Sequence, residues 1–183
     1  MMKKIIIGLL VCFCISFSVS AIAQPRYVGV NYLVADFESK KVETTADLDA
    51  LSINFGQYLH KNFALEGRLG FGFGYDTYND FSKLTSVDYH LNFLSGIYLR
   101  GELPLGKFRP YAMLGLSYVE VKVRGTVLGF RANGYDSDGD FSYGAGLDFQ
   151  VNDSFGLNAE YMMLIDNSKR QIDSWSVGVK FYF

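Results

Sequence analysis

Eight stretches of the chain alternate apolar and polar residues with a period of two, the repeat of a strand that shows different faces to different surroundings. The pattern predicts strands over Tyr27–Asp36, Leu48–Leu59, Phe63–Tyr75, Asp88–Glu102, Arg109–Val121, Phe141–Val151, Phe155–Leu164 and the final stretch through Trp175–Phe183. In the last of these, Trp175, Val177, Val179, Phe181 and Phe183 share one face, while Ser174, Ser176, Gly178, Lys180 and Tyr182 share the other. The third sets Leu65, Leu69, Phe71 and Phe73 against Glu66, Arg68, Gly70 and Gly72. The fourth sets Tyr89, Leu91, Phe93, Ile97 and Leu99 against His90, Asn92, Gly96, Tyr98, Arg100 and Glu102. The fifth is ambiguous because both faces carry apolar residues; Ala112, Leu114, Leu116 and Tyr118 are assigned outward, which sends Gly115 and Ser117 inside. Each stretch approaches the roughly ten residues that a tilted strand needs to cross a bilayer.

The connections alternate in length. His60–Asn62, Leu103–Lys107 and Asn152–Ser154 are short, whereas 37–47, 76–87, 122–140 and 165–173 are longer and polar. Short turns on one rim and long loops on the other describe an outer-membrane barrel with periplasmic turns and extracellular loops. The expected fold is therefore all-β, an eight-stranded antiparallel up-and-down transmembrane β-barrel of residues 24–183. Tyr75, Tyr89, Tyr118, Tyr143, Tyr161 and Trp175 fall near strand ends, where aromatic residues favour the membrane boundary. A secreted soluble barrel with an aromatic core is the competing architecture.

The amino terminus bears on the compartment. Lys3 and Lys4 precede an apolar run from Ile5 to Val19, and Ala21-Ile22-Ala23 follows, the layout of a cleavable secretory signal. Residues 1–23 are assigned to that signal, with cleavage after Ala23. Its loss removes two lysines and makes the net charge of −2 more negative, which argues against a nucleic-acid partner. The two cysteines, Cys12 and Cys14, both lie inside the signal, so the barrel offers no disulfide or thiolate site. The residues before them, Val11 and Phe13, are larger than a lipoprotein signal requires.

Pro110-Tyr111 leading to Gly115 and Tyr118, the run Tyr143-Gly-Ala-Gly-Leu-Asp148, and the terminal Phe183 resemble the small eight-stranded outer-membrane barrel superfamily. That group includes the transmembrane domain of outer membrane protein A and the opacity-type surface antigens. The resemblance spans residues 24–183 and implies an integral protein of the outer membrane of a Gram-negative bacterium. It further implies contact with lipid and lipopolysaccharide, and delivery by periplasmic chaperones to the barrel-assembly machinery. Trp175, Val177, Val179, Phe181 and Phe183 resemble the terminal signal which that machinery reads. The resemblance is specific for architecture and does not choose among adhesins, serum-resistance proteins and other relatives.

An eight-stranded barrel is just wide enough to be filled by side chains. Glu66, Arg68, Arg100, Glu102, Asp148, Glu160 and Lys180 fall on inward positions, and their opposite signs predict a network of ion pairs and water that plugs the lumen. A narrow polar pore is the alternative. Gly70, Gly72 and Gly74 spell G-x-G-x-G, but Tyr75–Asp80 shows no helical period to receive a pyrophosphate, so the glycines are read as relief of crowding. Asp136, Asp138 and Asp140 form a D-x-D-x-D cluster, a weak metal candidate. A calcium-hand loop fails there because Phe141 and Leu147 occupy the positions of its glycine and its bidentate glutamate. Val127, Leu128 and Phe130, flanked by Arg124 and Arg131, form either a loop binding surface or the top of an extended hairpin.

Three classes of function follow. The leading one is a non-enzymatic barrel that presents loops for surface interaction or adhesion and adds to envelope integrity, without cofactor or metal, as a monomer with an unidentified external ligand. A narrow channel or transporter for ions or small apolar solutes comes second. A lipid-modifying enzyme comes last: its chemistry would ordinarily pair a histidine with serine or carboxylate, and only His60 and His90 exist.

Overall fold

The computed structural model describes residues 25–39, 44–73, 76–79, 85–127, 130–168 and 170–183. Its strands are β1 (Arg26–Ser39), β2 (Thr44–His60), β3 (Phe63–Gly72), β4 (Asp76–Asn79), β5 (Thr85–Glu102), β6 (Phe108–Val127), β7 (Phe130–Gln150), β8 (Phe155–Asp166) and β9 (Arg170–Tyr182). The short β4 continues β3, because both pair with β5 one after the other. Each strand runs antiparallel to its neighbours, and β1 meets both β2 and β9 while β3 meets β5, so the sheet closes into an eight-stave barrel. Closure leaves no open edge through the lipid-facing zone, which a strand-built membrane protein needs because lipid cannot satisfy backbone groups.

The staves are tilted. Cross-strand partners lead from Val179 through Val30, Ile53, Leu69, Ser95 and Tyr118 to Gly139. Gly139 lies beyond Tyr143, the last β7 residue paired with β8, so one circuit climbs along the barrel as closure requires. At the lower rim, Leu105 and Phe108 exchange backbone hydrogen bonds of 2.8 and 3.2 Å around a turn whose Gly106 has φ 66°. That left-handed conformation suits glycine and fits a two-residue hairpin turn. Reciprocal bonds of 2.9 Å between Arg26 and Phe183 close the seam at the same rim.

The outer face carries the lipid signature. Val30, Leu51, Ile53, Leu114, Leu116 and Val177 are exposed apolar side chains of its middle band. Aromatic pairs flank it: Phe108–Phe149 and Phe155–Phe181 near the turns, Phe71–Phe93 and Tyr161–Trp175 near the hairpins, at centroid separations of 5.2, 5.1, 5.5 and 4.9 Å. Two such girdles mark the membrane–water boundaries. The fifth predicted strand faces as assigned, with Ala112, Leu114 and Leu116 exposed and Met113 and Ser117 buried. Tyr75 lies outside the described residues, as does the side chain of Tyr89.

Two expectations are corrected. The segment 122–140 is not an irregular loop: β6 and β7 stay paired up to Val127 opposite Phe130, and β5 follows β6 to Thr85. Strands β1 and β2 likewise continue to Ser39 opposite Thr44. The sequence hid this because amphipathicity reverses where the outer medium changes from lipid to water. Below the boundary the apolar residues point out; above it Asp36 and Asp47 are exposed while Ala35, Phe37 and Leu48 are buried. The second correction concerns β5. Its register with β6 shifts between Leu91 and Phe93, leaving Asn92 as the extra residue of a bulge. A one-residue insertion swaps the faces beyond it. Leu91 is therefore buried, and His90 pairs with Lys122 on the outer face rather than pointing inward.

Candidate functional site in the barrel lumen

The inward positions of the lower half bring Glu66, Arg68, Arg100, Glu102, Asp148, Glu160 and Lys180 into one buried network. Arg68 donates from Nε to Glu66 at 2.6 Å and from Nη2 to Glu160 at 2.7 Å. Arg100 is the hub. Its Nη2 meets Asp148 and lies 3.2 Å from Glu102, and its Nη1 lies 3.7 Å from Glu66. Lys180 donates to Asp148 at 2.9 Å. Below them, Arg109 reaches Glu102 at 3.4 Å and Gln150 at 2.7 Å. Four carboxylates thus face three arginines and a lysine, so the layer is neutral and no ion stands against a bare apolar wall.

Tyrosines complete the layer, and most of these were not singled out from the sequence. Tyr27 donates to Glu66, Tyr58 to Glu102 at 2.9 Å, Tyr111 to Glu160 at 2.9 Å and Tyr182 to Asp148 at 3.2 Å. The Arg100 guanidinium lies 3.6 Å from the centroid of the Tyr111 ring, and Arg68 lies 5.0 Å from that of Tyr98. Each large ring needs room. A Cβ at Gly56 would stand 2.0 Å from the Tyr27 ring, and one at Gly146 would stand 2.5 Å from that of Tyr111. The available signal was parity: Tyr27 shares the face of Gly29 and Asn31, and Tyr111 that of Met113. Above the charges, Asn54 donates to Asn31 at 3.0 Å and the Tyr98 and Ser117 hydroxyls share a hydrogen bond of 2.6 Å.

The extracellular mouth carries the aspartate ladder. On β7, Asp136 and Asp138 oppose the buried Val121 and Val119 of β6, and Arg170 crosses from β9 to meet Asp136 at 2.7 Å and Asp138 at 3.6 Å. Asn167 adds a bond of 3.0 Å to Asp138. Asp140 accepts from the backbone of Phe141 at 2.8 Å. The ladder is thus engaged by Arg170 and by its own backbone, which ties the β6–β7 hairpin to the β8–β9 turn. Among the described residues no three His, Cys, Asp or Glu side chains converge as a metal set. Val127 and Phe130 oppose each other at the hairpin tip, where their side chains and the whole of Leu128 lie outside the described residues. Trp175, Val177, Val179, Phe181 and Phe183 face outward along β9. His60 is the last residue of β2 at the lower rim rather than part of the turn, 6.4 Å from the Phe63 ring, and His90 lies near the upper end of β5, so the two histidines share no site.

A sheet closed on itself, apolar outside and charged within, with tight turns at one rim and long hairpins at the other, defines an integral outer-membrane barrel. The chain belongs to the outer membrane protein beta-barrel domain family, whose model matches residues 7–183. Solved structures share the fold. Neisserial surface protein A is 16% identical with a TM-score of 0.64, over 86% of this chain and 97% of that one. Ail, the attachment invasion locus protein of Yersinia pestis, is 14% identical with a TM-score of 0.62, over 87% of this chain and 99% of that one. The amino-terminal barrel domain of Pseudomonas aeruginosa OprF is 17% identical with a TM-score of 0.56, over 86% and 97%. No curated protein matches the chain in sequence.

Proposed function

We propose that this outer-membrane barrel is a non-enzymatic surface protein whose extracellular hairpins contact external ligands while its body adds to envelope integrity. The observation that carries this reading is the β6–β7 hairpin, which rises past the aromatic girdle and is clasped by Arg170. A paired, tethered projection presents side chains in a fixed arrangement, which a binding surface requires. The filled lumen supports a role at the surface over one in transport. Ail, which shares the fold, has been crystallised with the heparin analogue sucrose octasulfate, so a sulfated polysaccharide is the first external probe.

The test compares cells displaying the protein with cells displaying a variant in which residues 122–140 are replaced by a short turn. Binding to immobilised heparin should fall to the level of barrel-free cells in the variant, while unboiled gel mobility shows that its barrel still forms. Wild-type cells that bind heparin and a protein-matrix panel no better than barrel-free cells would defeat the reading.

The proposal includes a monomeric protein in contact with lipopolysaccharide, delivered by periplasmic chaperones to the barrel-assembly machinery, which reads the outward face of β9. It also includes cleavage after Ala23. Amino-terminal sequencing of protein recovered from the outer membrane should then begin at Gln24, and a start at Met1 would exclude cleavage.

A further inference from the structure

The lumen has two chemically different halves. The lower half is the ion-pair layer, and it contains buried polar atoms without a hydrogen-bond partner: Nη1 of Arg100, Nε of Arg109 and both amide atoms of Asn158. Asn158 is 5% exposed and pairs across β8 with Asp148 and Gly178 at the level of the charges. An orphaned amide in a charged interior calls for water, since a buried polar group without a hydrogen bond is costly. The upper half is different in kind. Leu33, Leu91, Leu94, Val119, Val121 and Ile172 are all at most 4% exposed and come from four strands. They belong to one contiguous cluster of buried hydrophobic side chains that also takes in Met162 and Leu164 of β8 and reaches down to Tyr98, Tyr111 and Met113 beside the ion pairs.

That cluster packs closely where β3 and β7 supply glycine. A Cβ at Gly72 would stand 2.1 Å from the Leu91 carbonyl oxygen, and one at Gly144 would stand 2.3 Å from the Met162 sulfur. Leucine and methionine therefore pack directly against bare backbone. On the extracellular side of the cluster, Arg170 holds Asp136 and Asp138, the partners of Val121 and Val119 in the β6–β7 pairing.

We propose that the apolar upper half is a dry septum that closes the lumen to ions, and that the ion-pair layer below it is hydrated and is not the barrier. An apolar constriction stops ions because water leaves it, whereas a charged layer with water in it can exchange partners. The septum is a property of the barrel body and does not depend on what the hairpins bind.

The first measurement is single-channel conductance of refolded protein in a planar bilayer, with folding verified by unboiled gel mobility. Wild type, Arg68→Ala and Glu160→Ala are all expected to be silent. A Leu94→Ser, Val119→Ser double variant, which makes a directly opposed pair polar, is expected to give discrete steps. Conductance in wild type or in either charge variant overturns the proposal, as does a folded septum variant that stays silent. A second measurement stands even if the double variant does not fold. The only native cysteines, Cys12 and Cys14, precede the barrel, so a thiol introduced within it after their removal is unique. A small water-borne thiol reagent should modify Asn158→Cys at least 100-fold faster than Leu94→Cys. Equal rates, or faster modification of Leu94→Cys, would place water in the septum and overturn the proposal.

Discussion

Replacing Arg100 with methionine should lower barrel stability by about 3–5 kcal/mol, the scale on which removing one partner strands buried charges. Arg100 is fully buried and is the side chain that ties Glu66, Glu102 and Asp148 together. Each carboxylate keeps one other cation, namely Arg68, Arg109 and Lys180 respectively. Without Arg100, however, the layer carries one uncompensated negative charge, and the Tyr111 ring loses the guanidinium stacked 3.6 Å away. Methionine matches the stem of arginine and leaves little cavity, so the loss reads electrostatics more than packing. Lysine should rescue only part of it, because one ammonium cannot reach three acceptors as a planar guanidinium does. Urea unfolding of the protein in lipid vesicles measures both variants. A loss below about 1 kcal/mol in Arg100→Met would show that water screens the layer as it screens a surface pair.

Gly115→Val should be the most damaging change at an inward glycine that meets a neighbouring backbone. A Cβ there would lie 2.1 Å from the Ile97 carbonyl oxygen and 2.8 Å from the Tyr98 Cα, both of β5. Neither atom can move without parting β5 from β6 where Gly115 pairs with Tyr98. Overpacking against backbone costs about 1–3 kcal/mol and can exceed that range, so we expect at least the upper end and a smaller fraction of folded barrel. Gly134→Val supplies the control, since a Cβ there meets nothing within 4 Å and its chain is already extended. That variant should stay within about 0.5 kcal/mol of wild type. Equal losses in the two variants would mean that β-propensity, rather than lumen space, governs the glycines.

Several features of the lumen were within reach of pattern reading. Glu66, Arg68, Asp148 and Lys180 share parity with glycine and serine along strands whose other face is apolar, and a period of two leaves them no alternative but the inside. The same parity carried Tyr27 and Tyr111, but tyrosine suits both faces of a membrane strand, so composition gave no reason to place them among the charges. His90 was misread because a bulge changes parity and leaves no mark in residue type; Asn92 is a plain polar residue between Leu91 and Phe93. The septum escaped for another reason. Val119 and Val121 alternate with Glu120 and Lys122, which looks like the end of a membrane strand when outward residues are required to be apolar.

What the sequence determined by itself is therefore the eight-stave barrel, the rim that carries the turns and the facing of most residues in the lipid band. The bilayer imposes these through local alternation, because each outward side chain must be apolar whatever its neighbours are. What only the tertiary structure decided is which charges meet and where the lumen is dry. Arg68 and Glu160 lie 92 residues apart, and Arg100 and Asp148 lie 48 apart. Their encounter depends on the stagger accumulated around a closed sheet, to which no local pattern refers. The reversal of polarity above the membrane follows the same logic, since it is set by the height at which each strand leaves the lipid.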